Sequence, residues 1–253
     1  MRFERSRFGF DDLFTLVPAT RDAPRAPFLD LRFVPGLDAR HRHLVRGPGL
    51  YGIFFRRDDA AAHELVYVGK FRGRRTDPSG GNAVGTRWWA HAASLTMRGH
   101  RVSINPRTLG ALPHVLPAGH AYLSLATAPA ISKDRGCQAG LNRVLFAAAH
   151  VAPFAQLERC ASTRARFRFG YVRVSGHGFG VAAIRDLIGA AETDLVARLR
   201  PQCNDATPRG GHLPGIGEDI FFAAAETVLA AAHLSTLGGP GLPAAARSAA
   251  HPG

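Results

Sequence analysis

Lysine is almost absent from this chain. All but two of its 32 basic residues, Lys70 and Lys133, are arginine. Acidic residues are also sparse, 19 in all, and the resulting formal charge of +13 favours a polyanionic partner, with nucleic acid first among them. The same excess follows from a composition rich in Arg, Ala, Gly and Pro, so charge alone does not name DNA. Cysteine is scarce too. Cys137, Cys160 and Cys203 are odd in number, far apart and in no C-x-x-C arrangement, which argues against a disulfide framework or a zinc ribbon and fits a reducing cytoplasm. No pairing of His120 or His150 with Cys137 or Cys160 has zinc-finger spacing. Long hydrophobic runs are missing: the most apolar stretch, 221–234, is broken by Glu226 and His233 and is too short to span a bilayer. The first five residues include Glu4 and no apolar segment follows, so they do not read as a secretory signal. The expectation is a cytoplasmic protein without a membrane partner.

What remains is ordinary for a globular chain, 46% hydrophobic and 20% charged over 253 residues, enough for one domain with a sizeable core. Residues 1–48 carry Pro18, Pro24, Pro27, Pro35 and Pro48 and read as an irregular N-terminal arm. Within it Arg40, His41, Arg42, His43 and Arg46 form a basic cluster, suited to phosphate or simply a solvated loop. Apolar and aromatic segments at 50–55 and 64–68 predict a hairpin, followed by a Gly- and Arg-rich loop and a helix capped by Thr86 that runs to about Met97. Residues 98–166 read as an insertion, with a strand expected at 120–126 and a helix near 141–149. A strand is predicted at 167–174. Ile184, Ile188, Ala191, Leu195 and Leu199 then fall at helical spacing before Pro201, and a second helix is expected from Asp219 to Leu234. The last residues, 237–253, read as a disordered tail. Gly176, Gly178 and Gly180 look phosphate-friendly, but the stretch lacks the Lys-Ser/Thr of a P-loop and reads as a turn.

Several residues carry candidate chemistry. On one strand face Tyr51, Ile53 and Phe55 point together, and Tyr67 on the partner strand can approach Tyr51. For either tyrosine alone, cross-strand packing is the favoured reading. Arg87 and His91, four apart, project from one helix face, where Arg87 can offer a planar fork to a phosphate. Lys70 follows the second strand directly. Glu192 stands beside the apolar stripe of its helix, suited to a cation or, more blandly, to pairing with Arg198.

In this order the residues resemble the GIY-YIG nuclease superfamily. Gly49-Leu50-Tyr51 matches the first motif and Tyr67-Val68-Gly69 the second, while Arg87 with His91 matches the R-x-x-x-H helix. Glu192, Leu195, Val196, Pro201 and Asn204 match the distal acid, aliphatic pair, proline and amide. Gly210-Gly211-His212-Leu213-Pro214-Gly215 is similar to a short stretch of some restriction members. The resemblance implies an α+β fold with a small three-stranded antiparallel sheet flanked by helices, in a nuclease domain over 49–236 whose insertion, 98–166, separates the first helix from the third strand. It also implies a Mg²⁺-dependent endonuclease acting on double-stranded DNA, with Mn²⁺ as a substitute metal. Tyr51 would be, or would place, the general base, Tyr67 would orient water or phosphate, and Arg87 would hold the scissile phosphate. His91 would assist Tyr51 or the leaving oxygen, Lys70 would contact phosphate or water, and Glu192 would bind the metal. Asn204 would orient backbone or phosphate. The absence of an appended DNA-binding module favours a type II restriction enzyme, as a homodimer on a palindromic site. A structure-selective or nonspecific nuclease and an inactive DNA-binding module are the alternatives. The hairpin connection, the gap from Gly69 to Arg87 and the distance from His91 to Glu192 are all longer than the family pattern.

Overall fold

Gly49–Phe55 is buried at every position, and a strand apolar on both sides needs cover on both. The fold supplies it. The computed structural model describes residues 1–18, 29–33, 46–76, 87–88, 91, 94–95, 102–123, 131–132, 139–151, 164–176 and 178–237. In chain order the elements are β1 (Arg2–Gly9), α1 (Phe10–Leu13), β2 (Phe14–Pro18), β3 (Leu29–Phe33), β4 (Gly49–Phe55), β5 (Glu64–Phe71), β6 (Val102–Ser103), α2 (Pro106–Val115), β7 (Ile131–Ser132), α3 (Leu141–His150), β8 (Phe167–Ser175), α4 (Val181–Leu199) and α5 (Glu218–Thr236). The class is α+β, as expected. The main sheet is antiparallel throughout with the order β1-β8-β4-β5; β2 with β3 and β6 with β7 form separate two-stranded pairs.

One face of the sheet carries Tyr51, Ile53, Phe55, Phe167, Phe169 and Tyr171, packed with Trp88 and with Leu112 of α2 and Val144 and Phe146 of α3. The opposite face carries Leu50, Phe54, Leu65, Val68 and Val172 under Ile184, Ile188 and Leu195 of α4 and Phe221, Phe222 and Leu229 of α5. Gly52 and Gly170 are register partners, and side chains at either would meet the rings of Phe54, Phe221 or Phe222 within 3.1 Å. These two glycines form the trough in which α5 seats its aromatic pair. Fully burying each such ring is worth about 1.5–3 kcal/mol.

Two expectations are corrected. The sheet has four strands, not three, because β1 pairs along its whole length with β8. That strand lies in the stretch read as an irregular arm, yet it precedes the first proline. Its outward arginines hid the alternation: Arg5 reaches Glu226 at 2.6 Å and Arg7 reaches Asp219 at 2.5 Å, both on α5. The strand expected at 120–126 is instead a short helical turn at 121–123, with 124–126 outside the described residues. Within the stretch read as an insertion, α2 and α3 build much of one core face. Thr86, residues 40–45 and the tail from 238 onward lie outside the described residues. Among the described residues, no helix is long and apolar enough to cross a membrane.

Candidate active site

The two tyrosines meet because a glycine lets them. Tyr51 stands opposite Gly69 in the β4–β5 register, and a Cβ at Gly69 would lie 2.4 Å from the Tyr51 phenol carbon and oxygen. The ring therefore crosses the strand where no side chain stands. Tyr67, two residues back on the same side, is stacked on Tyr51 with ring centroids 6.3 Å apart. Arg87, Trp88 and His91 are helical in the stretch that follows the hairpin; His91 is buried while Arg87 is exposed, although the i,i+4 spacing predicts both on one face. His91 lies 4.3 Å from the Tyr67 ring and 5.8 Å from the Tyr51 ring. Tyr171, the β8 partner of Tyr51, belongs to the same layer, but its hydroxyl donates to the Gly47 carbonyl and burial pushes its pKa up. It is a locked phenol.

A residue not anticipated from the sequence completes this layer. Arg143 of α3 is buried, its guanidinium lies 5.9 Å from the Tyr67 ring centre, and its Nη1 is 3.5 Å from His91 Nδ1. An arginine can only donate, so Nδ1 accepts and the ring proton of neutral His91 sits on Nε2. Burial first, then Arg143 and Arg87, hold the His91 pKa well below the usual imidazole value. His63 is lowered to about 4 by burial, Arg168 and Arg56, and His150 is lowered by burial, Arg57 and Arg166. Each would take up a proton near pH 6.5 once unfolded. The unfolded chain then binds more protons, so the stability these histidines contribute is complete above about pH 6.5 and is lost as pH falls toward their folded values. Thermal melts should show Tm falling from pH 7 to pH 5, and His91→Gln should flatten that fall. An equally steep fall in the variant would refute the assignment of His91.

Strand parity puts the remaining chemistry on the other side of β5. Lys70 alternates away from Gly69, and its ammonium is ion-paired with the Glu192 carboxylate of α4, each about a quarter exposed. Arg198, the alternative partner for Glu192, pairs instead with Asp194 at 3.0 Å. Around the end of β5 a cavity of about 460 Å³ is lined by Lys70, Phe71, Arg72, Gly73, Arg87 and Arg185. Arg87 thus shares a cleft with Lys70 although the two come from different layers. No tyrosine lines that cleft; Tyr51 is only 1% exposed and stands behind Gly69.

No protein-family model, curated protein or solved structure matches this chain. The geometry must therefore speak for itself.

It divides the sequence-derived set into two groups joined at the 69–70 step of β5. Tyr51, Tyr67 and His91 form one; Lys70, Glu192 and the cleft-lining Arg87 form the other. Asn204 joins neither as a ligand contact. Its Oδ1 accepts from Val68 N at 2.9 Å and its Nδ2 donates to Val68 O at 2.8 Å, so the amide clamps the outer edge of β5. Of its two expected roles, orienting backbone is the one it performs. Among the described residues, no three His, Cys, Asp or Glu side chains cluster as a metal site. A divalent cation at Glu192 would take one hard carboxylate from the protein, with water and phosphate oxygens supplying the rest, a coordination that suits Mg²⁺.

Besides Arg143, sequence reasoning missed Arg72 and Arg185. A signal existed for each. Arg143 precedes Val144 on the buried side of an Ala-rich helix, where an unexplained charge asks for a partner. Arg185, Gly189 and Glu192 fall on one face of α4, and a glycine inside a helix often marks a close approach.

Proposed function

We propose that this chain is a Mg²⁺-dependent endodeoxyribonuclease of the GIY-YIG class, with a sequence-specific type II restriction enzyme as the preferred reading. One observation carries the proposal. Residues as distant as Tyr51, Arg87 and Glu192 gather around the 69–70 step of β5, with phenols and an imidazole on one side and a carboxylate, an ammonium and a guanidinium on the other.

Hydrolysis of a phosphodiester requires an activated water, charge compensation on the pentacoordinate phosphate and help for the departing 3′ oxygen. Arg87, exposed in the cleft, offers two parallel N–H groups to the non-bridging oxygens. Glu192 would hold the cation, which would lower the cost of charge on the phosphate and leaving oxygen. Lys70, which lines the cleft, holds the Glu192 carboxylate beside it through their ion pair. Neutral His91, with its proton on Nε2, is a donor toward Tyr51 or the leaving oxygen rather than a base. The resemblance gives Tyr51, with Tyr67 stacked on it, the task of placing or deprotonating the attacking water; with the phenol 1% exposed behind Gly69, that role would require this end of β5 to open when substrate binds.

Incubating the protein with supercoiled plasmid and Mg²⁺ tests the reading. Discrete linear fragments are expected, and chelation should stop their formation. Retention on DNA without any cutting overturns the enzymatic proposal; a continuous smear overturns sequence specificity alone.

A further inference from the structure

The cleft holds more positive charge than one phosphate needs. Lys70, Arg72, Arg87 and Arg185 all line it, against the single carboxylate of Glu192, which is engaged by Lys70. Among the described residues, none of the three arginines is ion-paired with an acid. A bridging phosphodiester carries one negative charge.

Two of these cations have a built seat. Arg72 lies across α4 at Gly189, where a Cβ would stand 2.9 Å from its Nη2. The missing side chain is the notch that admits the guanidinium. Arg72 Nε is buried and has no hydrogen-bond partner among the described residues. Arg185, one helical turn before Gly189, reaches back to the Gly73 carbonyl through Nη1 at 3.4 Å, which ties it to the segment after β5 that carries Arg72. Two guanidiniums, one from that segment and one from α4, thereby line the same cleft as Lys70 and Arg87.

We propose that Arg72 and Arg185 form a second phosphate seat next to the scissile position, so that the cleft grips two successive phosphates of one polynucleotide strand. The proposal rests on the nuclease reading and extends it: the substrate is a polynucleotide and not an isolated phosphodiester, and these two arginines position it without touching the reacting atoms.

The test is duplex DNA binding measured by fluorescence anisotropy in EDTA across a range of salt. Each phosphate contact contributes about 0.9 to the slope of log affinity against log salt. Arg72→Ala and Arg185→Ala should each make the slope shallower by about that amount, and Arg185→Lys should restore it. Gly189→Ala should act as Arg72→Ala does, because the new methyl displaces the guanidinium, and combining the two should give no further loss. Alanine favours the helix over glycine, so the Gly189→Ala Tm should be equal to or above that of the parent, which separates a lost contact from a lost fold. Parent binding with unchanged slopes in the Arg72 and Arg185 variants overturns the second seat alone. A parent that binds no DNA overturns the nuclease reading and the seat together.

Discussion

Glu192→Gln is expected to lower plasmid cleavage on the order of 10³-fold while leaving DNA binding intact or tighter. The amide keeps the size of the side chain but removes the carboxylate that, on the proposed reading, would hold a divalent cation beside the cleft. Several kcal/mol of transition-state stabilisation are lost with it. Binding moves the other way, since Glu192 is the carboxylate that engages Lys70 of the cleft and its removal frees that ammonium for phosphate. This opposition separates a catalytic role from a structural one. If Glu192 merely secured α4 to β5, the variant would lose stability and DNA affinity together. Cleavage in Mg²⁺ within tenfold of the parent would remove Glu192 from the mechanism, and the single-carboxylate metal site with it.

Lys70→Ala provides the internal comparison. It strips the ion pair from Glu192 without removing the donor. Cleavage should fall less than in Glu192→Gln, and raising Mg²⁺ should recover part of the loss, because the carboxylate remains available.

How much of this was legible in the sequence depends on the kind of signal each part leaves. The distal acid and amide were legible because Glu192, Leu195 and Leu199 share helical spacing with the core stripe and Pro201 fixes where the helix stops. The hairpin was legible from its aromatic and β-branched runs, and β5 extends to Phe71, so that Lys70 is a strand residue rather than the start of a loop. β1 was not legible, since its solvent-side positions are arginines that find their acids on α5, more than two hundred residues away. Arg143 was hidden for a similar reason: its partners His91 and Asp205 lie on distant segments, and only packing of α3 against the sheet brings them together. Strand parity alone separates Lys70 from Tyr67 and Gly69, yet their convergence at one strand end depends on which helix covers which face, a tertiary property that no local pattern states.

Asn204 holds backbone, one of the two roles expected of it, and Asn204→Ala is expected to destabilise the fold by about 3 kcal/mol. β5 is the outer strand of the sheet, and its free edge is covered by the segment after α4: Cys203 N donates to Val66 O at 2.8 Å, and Leu65 N donates to Ile216 O at 2.7 Å. Further along the same edge the Asn204 amide satisfies both main-chain groups of Val68, which is itself fully buried. Alanine would strand a buried N–H and a buried C=O, each costing about 1–3 kcal/mol. For a chain of this size that corresponds to a Tm lower by roughly 6–12 °C. Asn204→Asp makes the argument specific. A carboxylate can accept from Val68 N but sets its second oxygen against Val68 O, so the charged form is disfavoured and its folded pKa is raised. Protonation restores a donor, and the Asp variant should therefore regain stability relative to the Ala variant as pH falls below that raised value, opposite in sign to the acid sensitivity that the histidines impose. An Asn204→Ala protein melting with the parent would mean that water replaces the clamp at no cost, and the amide would then need another explanation, such as contact with the substrate.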